Sequence, residues 1–507
     1  MKQAITKINP QDDDPDLTTH LSLLSLQQDD DDDNQDAISS SQLTTSPVFT
    51  QEVRSSNKAA FSQYGLLGGH AVAAAITTTT TASQPQHQDP RLFYNVSAPS
   101  SVFICGSQGS GKSHTLSCLL ENCLVPCDAN VLPKPLTGLV LHYDAFVSDV
   151  GGSPCEAAHL SSSRAVQVRV LCPPTNLVRI RNIYSALPNL TVEPLQLDER
   201  DLNTKRMLDL MAVSSSTQAG SAAAGGGMPL YLHVVTRILR DLRLEQQLTG
   251  GGFDYAKFKS AIANEAMTPG QMAPLQQRLD TLQSFMVKEQ VTKQKTKKKT
   301  TTTTTTTMKR GISWSPTPGQ LTIIDLSCPC VTADAACALF TICVSLFLEQ
   351  PSETTGRVVA LDEAHRYMNQ CEGSASGSLT ETLLAAIRLQ RHIGTRVIIS
   401  TQEPSISPKL LDLCPVIVVH RFSSPDWFRA LKRHVATGDD DDDDDHTPTT
   451  GLFRSILALR QGEALLFAPE AIVVATSSKL TMLGSRAIKI RVRKRLTADG
   501  GRTVMAQ

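Results

Sequence analysis

Residues Gly106, Ser107, Gln108, Gly109, Ser110, Gly111, Lys112 and Ser113 constrain this chain more than any other stretch. They follow a short apolar run, Ser101 to Cys105 (SVFIC), and open a helical pattern that continues to Glu121. Strand, glycine-rich turn and helix form the setting in which G-x-x-x-x-G-K-[ST] cradles phosphate. The glycines let backbone N–H groups turn inward around an anion, and the helix N-terminus adds positive potential. Lys112 is placed to reach the β- and γ-phosphates, and the Ser113 hydroxyl to ligate Mg²⁺. Gly106 through Ser113, with His114 in the same turn, are the candidate nucleotide-binding residues. ATP is expected over GTP, because no guanine-specifying N-K-x-D follows.

Two later strand ends supply the partners such a loop needs. Val358 to Leu361 is an apolar run ending in Asp362 and Glu363. A carboxylate there stands beside the phosphate loop, so Asp362 is expected to hold Mg²⁺ through water and Glu363 to polarise the attacking water. His365 reads equally as a structural histidine or a phosphate-side contact. Val397 to Thr401 is a further apolar run, ending in Gln402 before Glu403 and Pro404. In a parallel sheet, ligands sit at the carboxyl ends of strands, which lets Gln402 reach the γ-phosphate or the attacking water.

Apolar strand cores recur at 138–142, 166–171, 321–326, 357–361, 396–400 and 416–420, separated by helical patterns. That alternation predicts an α/β fold with a mainly parallel sheet covered on both faces. The expected organisation is a disordered acidic, Thr-rich arm (1–90), the first half of the nucleotide domain (91–200) and a helical insertion (201–292). A basic, Thr-rich linker (293–312), the second half (313–495) with an Asp-run loop at 439–445, and a tail (496–507) complete it. Residues 1–90 are assigned to the arm, most of it disordered, because they are poor in large apolar side chains; one apolar patch, around Phe61 to Leu67, is expected to dock on the body. Removing the −8 of residues 1–36 and the −7 of Asp439 to Asp445 from the formal charge of −1 leaves +14 on the remainder. That balance permits a polyanionic partner. No apolar run approaches the 18 or so residues of a membrane span, and the 12 cysteines show no zinc-finger spacing. They read as small buried hydrophobes in a reducing compartment, so the expected location is intracellular, nuclear or cytoplasmic. The alternating basic run near the C-terminus, Lys489 to Arg495, reads either as a solvated edge strand or as a phosphate-tracking surface.

The loop GSQGSGKS, then LTIIDLS, LDEAHRY, RHIG before ISTQEP, and LRQGEALLF together resemble the HerA/FtsK-type ATPases. These are RecA-like P-loop enzymes of the additional-strand catalytic-glutamate class, and the resemblance spans roughly residues 95–495. It implies ATP and Mg²⁺ as ligands, a homo-oligomer (a hexameric ring by analogy) and work on DNA. It also implies a catalytic role for Arg391, which precedes the T-Q strand, and a role across a subunit interface for Arg388 or Arg421. HerA-like pumps carry a small β-barrel before the loop, and residues 1–90 show no sign of one. A DEAH-box helicase is excluded: only 142 residues follow His365, and the next strand carries S-T-Q where a helicase has S-A-T. Two functions remain open, an ATPase that moves or remodels DNA and a nucleotide-controlled binding protein.

Overall fold

The computed structural model describes residues 42–70, 89–145, 152–211, 230–287, 311–352, 354–368, 375–435, 448–476 and 479–500. The chain divides into two compact units at Thr45. Of the first, residues 42–45 form a single helical turn in which the Thr45 hydroxyl donates to the Gln42 carbonyl. The second unit is residues 46–507 and holds the sheet. The basic tract at 293–310, the Asp run and most of the acidic arm lie outside the described residues.

Sixteen strands join in one sheet. In chain order these are β1 (Val48–Thr50), β2 (Tyr64–His70), β3 (Arg91–Asn95), β4 (Ser101–Cys105), β5 (Asn130–Val131) and β6 (Thr137–His142). Next come β7 (Gln167–Cys172), β8 (Leu190–Pro194), β9 (Gln320–Asp325), β10 (Arg357–Leu361) and β11 (Thr395–Thr401). The last are β12 (Val416–Val419), β13 (Glu463–Phe467), β14 (Ile472–Thr476), β15 (Lys479–Met482) and β16 (Ala487–Val492). The order β12-β4-β11-β10-β6-β9-β7-β8 is parallel throughout, as the continuous apolar runs require. Successive side chains of a strand point to opposite faces, and here both faces are covered. Phe103, Cys105, Leu139 and Leu141 enter one core, while Val102, Ile104 and Val140 enter the other.

The helical block predicted at 201–292 forms helices Thr204–Met211, Leu230–Thr249, Tyr255–Ala263 and Pro269–Phe285. Met207, Val235, Phe258 and Leu279 seat them on the first of these cores. Beyond β12 the sheet turns antiparallel, through β13, β16, β2 and β3 to β1.

This extension corrects the boundary of the disordered arm at residue 90, and the patch at Phe61 to Leu67 does pack on the body. Val48–Thr50, the helix Gln51–Ser56 and Tyr64–His70 are built into the sheet. Their large apolar residues are few but converge. Phe49 stacks on Phe61 at 3.8 Å and on Phe93 at 5.7 Å, and Tyr64 meets Phe93 edge-on at 5.6 Å. Gly68 lets β2 close on β16, where a Cβ would lie 2.3 Å from the Arg491 carbonyl oxygen.

The C-terminal basic run is corrected as well. β16 lies between β13 and β2 and is not an edge. Lys489 pairs with Glu463 at 2.9 Å, Arg493 with Glu121 at 2.6 Å, and Arg495 with Glu156. The alternation that suggested a solvated or phosphate-tracking face instead places Arg493 and Arg495 inside, where acids neutralise them.

Candidate active site

The phosphate loop leaves the end of β4 and enters the helix Lys112–Leu124. Gly109 (φ 73°) and Gly111 (φ 116°) occupy left-handed backbone that side chains rarely adopt. The loop is docked from behind on the end of β12. Both the backbone N–H and the hydroxyl of Ser107 donate to the Arg421 carbonyl, at 2.9 and 2.8 Å. His420 lies buried beneath it. Its Nδ1 bonds the Glu463 carbonyl at 3.0 Å and its Nε2 the Thr115 hydroxyl at 2.9 Å. Since a carbonyl only accepts, Nδ1 carries the proton. Burial pushes the His420 pKa down to about 4, so the ring is neutral and takes its second bond from Thr115.

Lys112 is buried, and its ammonium donates to the Ser107 carbonyl at 3.1 Å. Burial lowers its pKa, against the opposing pull of Glu363 and Asp362. Those two carboxylates therefore face the same space as the lysine. Ser113 opens the same helix, half-buried beside Lys112.

The strand order brings the third motif between the other two. β11 pairs with β4 on one side and β10 on the other, with Thr401 opposite Cys105 and Ile399 opposite Leu361. Gln402 consequently emerges between the phosphate loop and the Asp362–Glu363 pair, and its Nε2 donates to Glu363 Oε2 at 3.4 Å. Glu363 sits in the left-handed region (φ 47°, ψ 48°). A non-glycine residue there costs on the order of 1–3 kcal/mol, a strain that clusters at functional sites. His365 Nδ1 lies 3.3 Å from Glu363 Oε2 and accepts the Gln402 backbone N–H at 3.4 Å. Burial lowers the His365 pKa despite Glu363, which agrees with that accepting role.

Asp362 is anchored by its N–H to the Leu141 carbonyl at 3.0 Å. Its Oδ2 takes His142 Nδ1 at 3.2 Å and the Cys155 thiol at 3.7 Å. Its Oδ1 is buried with no hydrogen-bond partner. A buried carboxylate oxygen without a partner is costly, and a hydrated cation beside it would satisfy it. With the Ser113 hydroxyl nearby in the motif, the donor set is all oxygen, which fits Mg²⁺.

Two expected site residues are not brought in. His114 Nε2 bonds the Arg493 carbonyl at 2.8 Å, so its ring is turned to the C-terminal strand on another face of the helix. Arg391 is exposed in the turn Gln390–Ile393 before β11. It stands at the amino edge of the sheet. Seven residues at about 3.3 Å each put it on the order of 20 Å from Gln402. This chain's own site does not include it. Arg388 lies on the same side, whereas exposed Arg421 is at the loop. Sequence reasoning missed His142, Cys155 and His420. His142 and His420 close apolar strands at their carboxyl ends, a usable signal. Cys155 carries none.

Fold and site together have the RecA-like P-loop arrangement, in which an additional strand, β11, separates the phosphate-loop strand from the Asp362 strand. No family model matches the sequence, and no curated protein matches it. Among solved structures, the chain is similar to VirB4 of Thermoanaerobacter pseudethanolicus, with 10% identity and a TM-score of 0.45 over 85% of this chain and 96% of that one. It is also similar to the plasmid coupling protein TrwB bound to a non-hydrolysable ATP analogue, with 12% identity and a TM-score of 0.43 over 87% and 95%. A shorter similarity is to the genome packaging NTPase B204 of Sulfolobus turreted icosahedral virus 2, with 15% identity and a TM-score of 0.22 over 30% and 62%. The class assignment rests on the chain's own topology and site.

Proposed function

We propose that this chain binds ATP with Mg²⁺ and hydrolyses it. The observation that carries the reading is the insertion of β11, which sets Gln402 against Glu363 facing the phosphate loop. In this reading Lys112 leaves the Ser107 carbonyl to bind the β- and γ-phosphates, while loop N–H groups hold the remaining oxygens. Ser113 and Asp362 would hold Mg²⁺, which supplies charge neutralisation on the phosphates. Glu363, released from Gln402, orients and deprotonates the attacking water. Gln402 then turns its amide to the γ-phosphate. Hydrogen bonds from His142 and Cys155 keep Asp362 oriented, so that Oδ1 is the free oxygen.

Coupling of hydrolysis to movement or remodelling of DNA, by several copies acting together, is the finer part of the proposal. It is supported by the run of motifs from GSQGSGKS to LRQGEALLF and by the net +14 outside the acidic tracts. Arg421, at the loop, is the arginine best placed to act between copies, ahead of Arg391 and Arg388. The nucleus or cytoplasm is the proposed location, on the unpaired cysteines among the described residues.

A second reading is a nucleotide-controlled binding protein. It is favoured by the tracts that interrupt the two halves, Lys293 to Thr307 and the Asp run at 439–445. Steady-state phosphate release with and without double-stranded DNA separates the two. Turnover that DNA accelerates supports the motor. ATP binding with turnover no faster than that of Glu363→Gln, whatever DNA is added, supports the switch.

A further inference from the structure

Behind the phosphate site, His142 and Cys155 meet Asp362, the proposed Mg²⁺ ligand, in a buried cluster whose nitrogen and sulfur donors go beyond what Mg²⁺ takes. His142 ends β6, Cys155 precedes the short helix Glu156–Ser162, and Asp362 follows β10. The three are buried, and one potential ligand atom from each lies within 4.8 Å of the other two. We propose that His142 Nδ1, Cys155 Sγ and Asp362 Oδ2 form a binding site for a soft divalent transition-metal ion of the zinc type.

The distances carry the argument. A tetrahedral zinc ion with bonds of about 2.05 Å to nitrogen and oxygen and about 2.3 Å to sulfur separates its ligand atoms by about 3.3–3.6 Å. The observed separations are 3.2 Å for nitrogen to oxygen and 3.7 Å for sulfur to oxygen. Three protein ligands leave the fourth position for water. The donor types select the metal: imidazole and thiolate suit zinc, whereas Mg²⁺ takes oxygen alone.

An outer bond already fixes the Cys155 backbone. The Cys155 backbone N–H donates to the Tyr184 hydroxyl at 2.9 Å, and that hydroxyl donates to Asp325 Oδ2 at 2.7 Å. Such supporting bonds are what fix ligand orientation in metal sites. Without metal, the thiol proton and the Nδ1 proton both point at Asp362 Oδ2. On coordination the thiol gives up its proton to solvent, the imidazole gives up its Nδ1 proton while Nε2 carries one so that the ring is a neutral ligand, and the ion takes their place between the same three atoms.

The consequence rests on the ATPase reading. With Oδ2 bound to the ion, the charge of Asp362 is spent there and its hold on Mg²⁺ at Oδ1 weakens. Zinc is then an inhibitor of hydrolysis acting from behind the site.

The test uses the full-length protein and Co²⁺ as probe, without nucleotide, so its failure is distinct from failure of the ATPase reading. The expected result is one Co²⁺ per chain with a thiolate-to-cobalt charge-transfer band and four-coordinate visible bands, displaced by Zn²⁺. Cys155→Ala and His142→Ala each lose that band. Cys330→Ser, which removes the exposed thiol two residues from Cys328, retains it. Circular dichroism checks that each variant folds, and His142→Ala stands alone if Cys155→Ala does not. The proposal is overturned by the absence of a thiolate band at saturating Co²⁺, by its survival in either ligand variant, or by its loss in Cys330→Ser.

Discussion

Glu121 is the acid whose removal should cost the fold most. Its side chain is fully buried on the phosphate-loop helix, where it meets the guanidinium of Arg493 at 2.6 Å. It also accepts the Thr497 hydroxyl at 2.6 Å and the Thr497 N–H at 2.9 Å. Burial alone would raise its pKa, but the Thr497 and Arg493 bonds outweigh that and lower it below the ordinary 4.5. Glu121→Ala strands Arg493, itself almost wholly buried, with an uncompensated charge, and breaking such a pair costs about 3–5 kcal/mol. At about 2.1 cal/mol/K of unfolding entropy per residue over roughly 370 described residues, the expected fall in Tm is about 4–6 °C.

A lowered carboxylate pKa stabilises the fold above the unfolded value and loses that contribution as pH falls through the folded one. The gap between wild type and Glu121→Gln should therefore narrow below about pH 4.5. Differential scanning calorimetry across pH 3–7 reads both effects. A Glu121→Ala protein within 1 °C of wild type at pH 7 refutes the reasoning.

Three further outcomes are expected. Phe49→Ala removes the centre of the aromatic cluster and should cost about 3–5 kcal/mol, measured by thermal melting; a neutral effect would mean that residues 48–70 do not belong to the sheet. His420 has a folded pKa of about 4 against an ordinary 6.5, so the unfolded chain protonates first on acidification. About 3 kcal/mol of stability should be lost between pH 6.5 and 4, and His420→Gln should flatten that limb of the stability curve. Gly106→Ala places a Cβ 2.7 Å from that of His420 and should weaken binding of a fluorescent ATP analogue at least tenfold; unchanged affinity would show that the loop has room to move.

Much of the site could be read directly from sequence because its chemistry is local. The phosphate loop, the Asp362–Glu363 strand end and Gln402 are each short runs with a fixed spacing, and the sheet brings the three together. What escaped was non-local. Cys155 approaches Asp362 across 207 residues, and nothing in its neighbourhood marks it. Of residues 48–70 only the apolar patch Phe61 to Leu67 stood out; the strands were hidden because composition counts apolar residues without knowing that Phe49, Phe61, Tyr64 and Phe93 meet. The basic run misled for the same reason: alternating charge resembles a solvated face until Glu121 and Glu156 are found opposite it. Arg391 was placed by its neighbours in sequence, yet the direction of β11 carries it to the wrong end of the sheet.

The central claim is hydrolysis driven by Glu363, and phosphate release by wild type and Glu363→Gln under saturating ATP and Mg²⁺ tests it most directly. The account predicts that both bind nucleotide with similar affinity while turnover in Glu363→Gln falls by about 10²–10⁴. Equal turnover in the two proteins would contradict it.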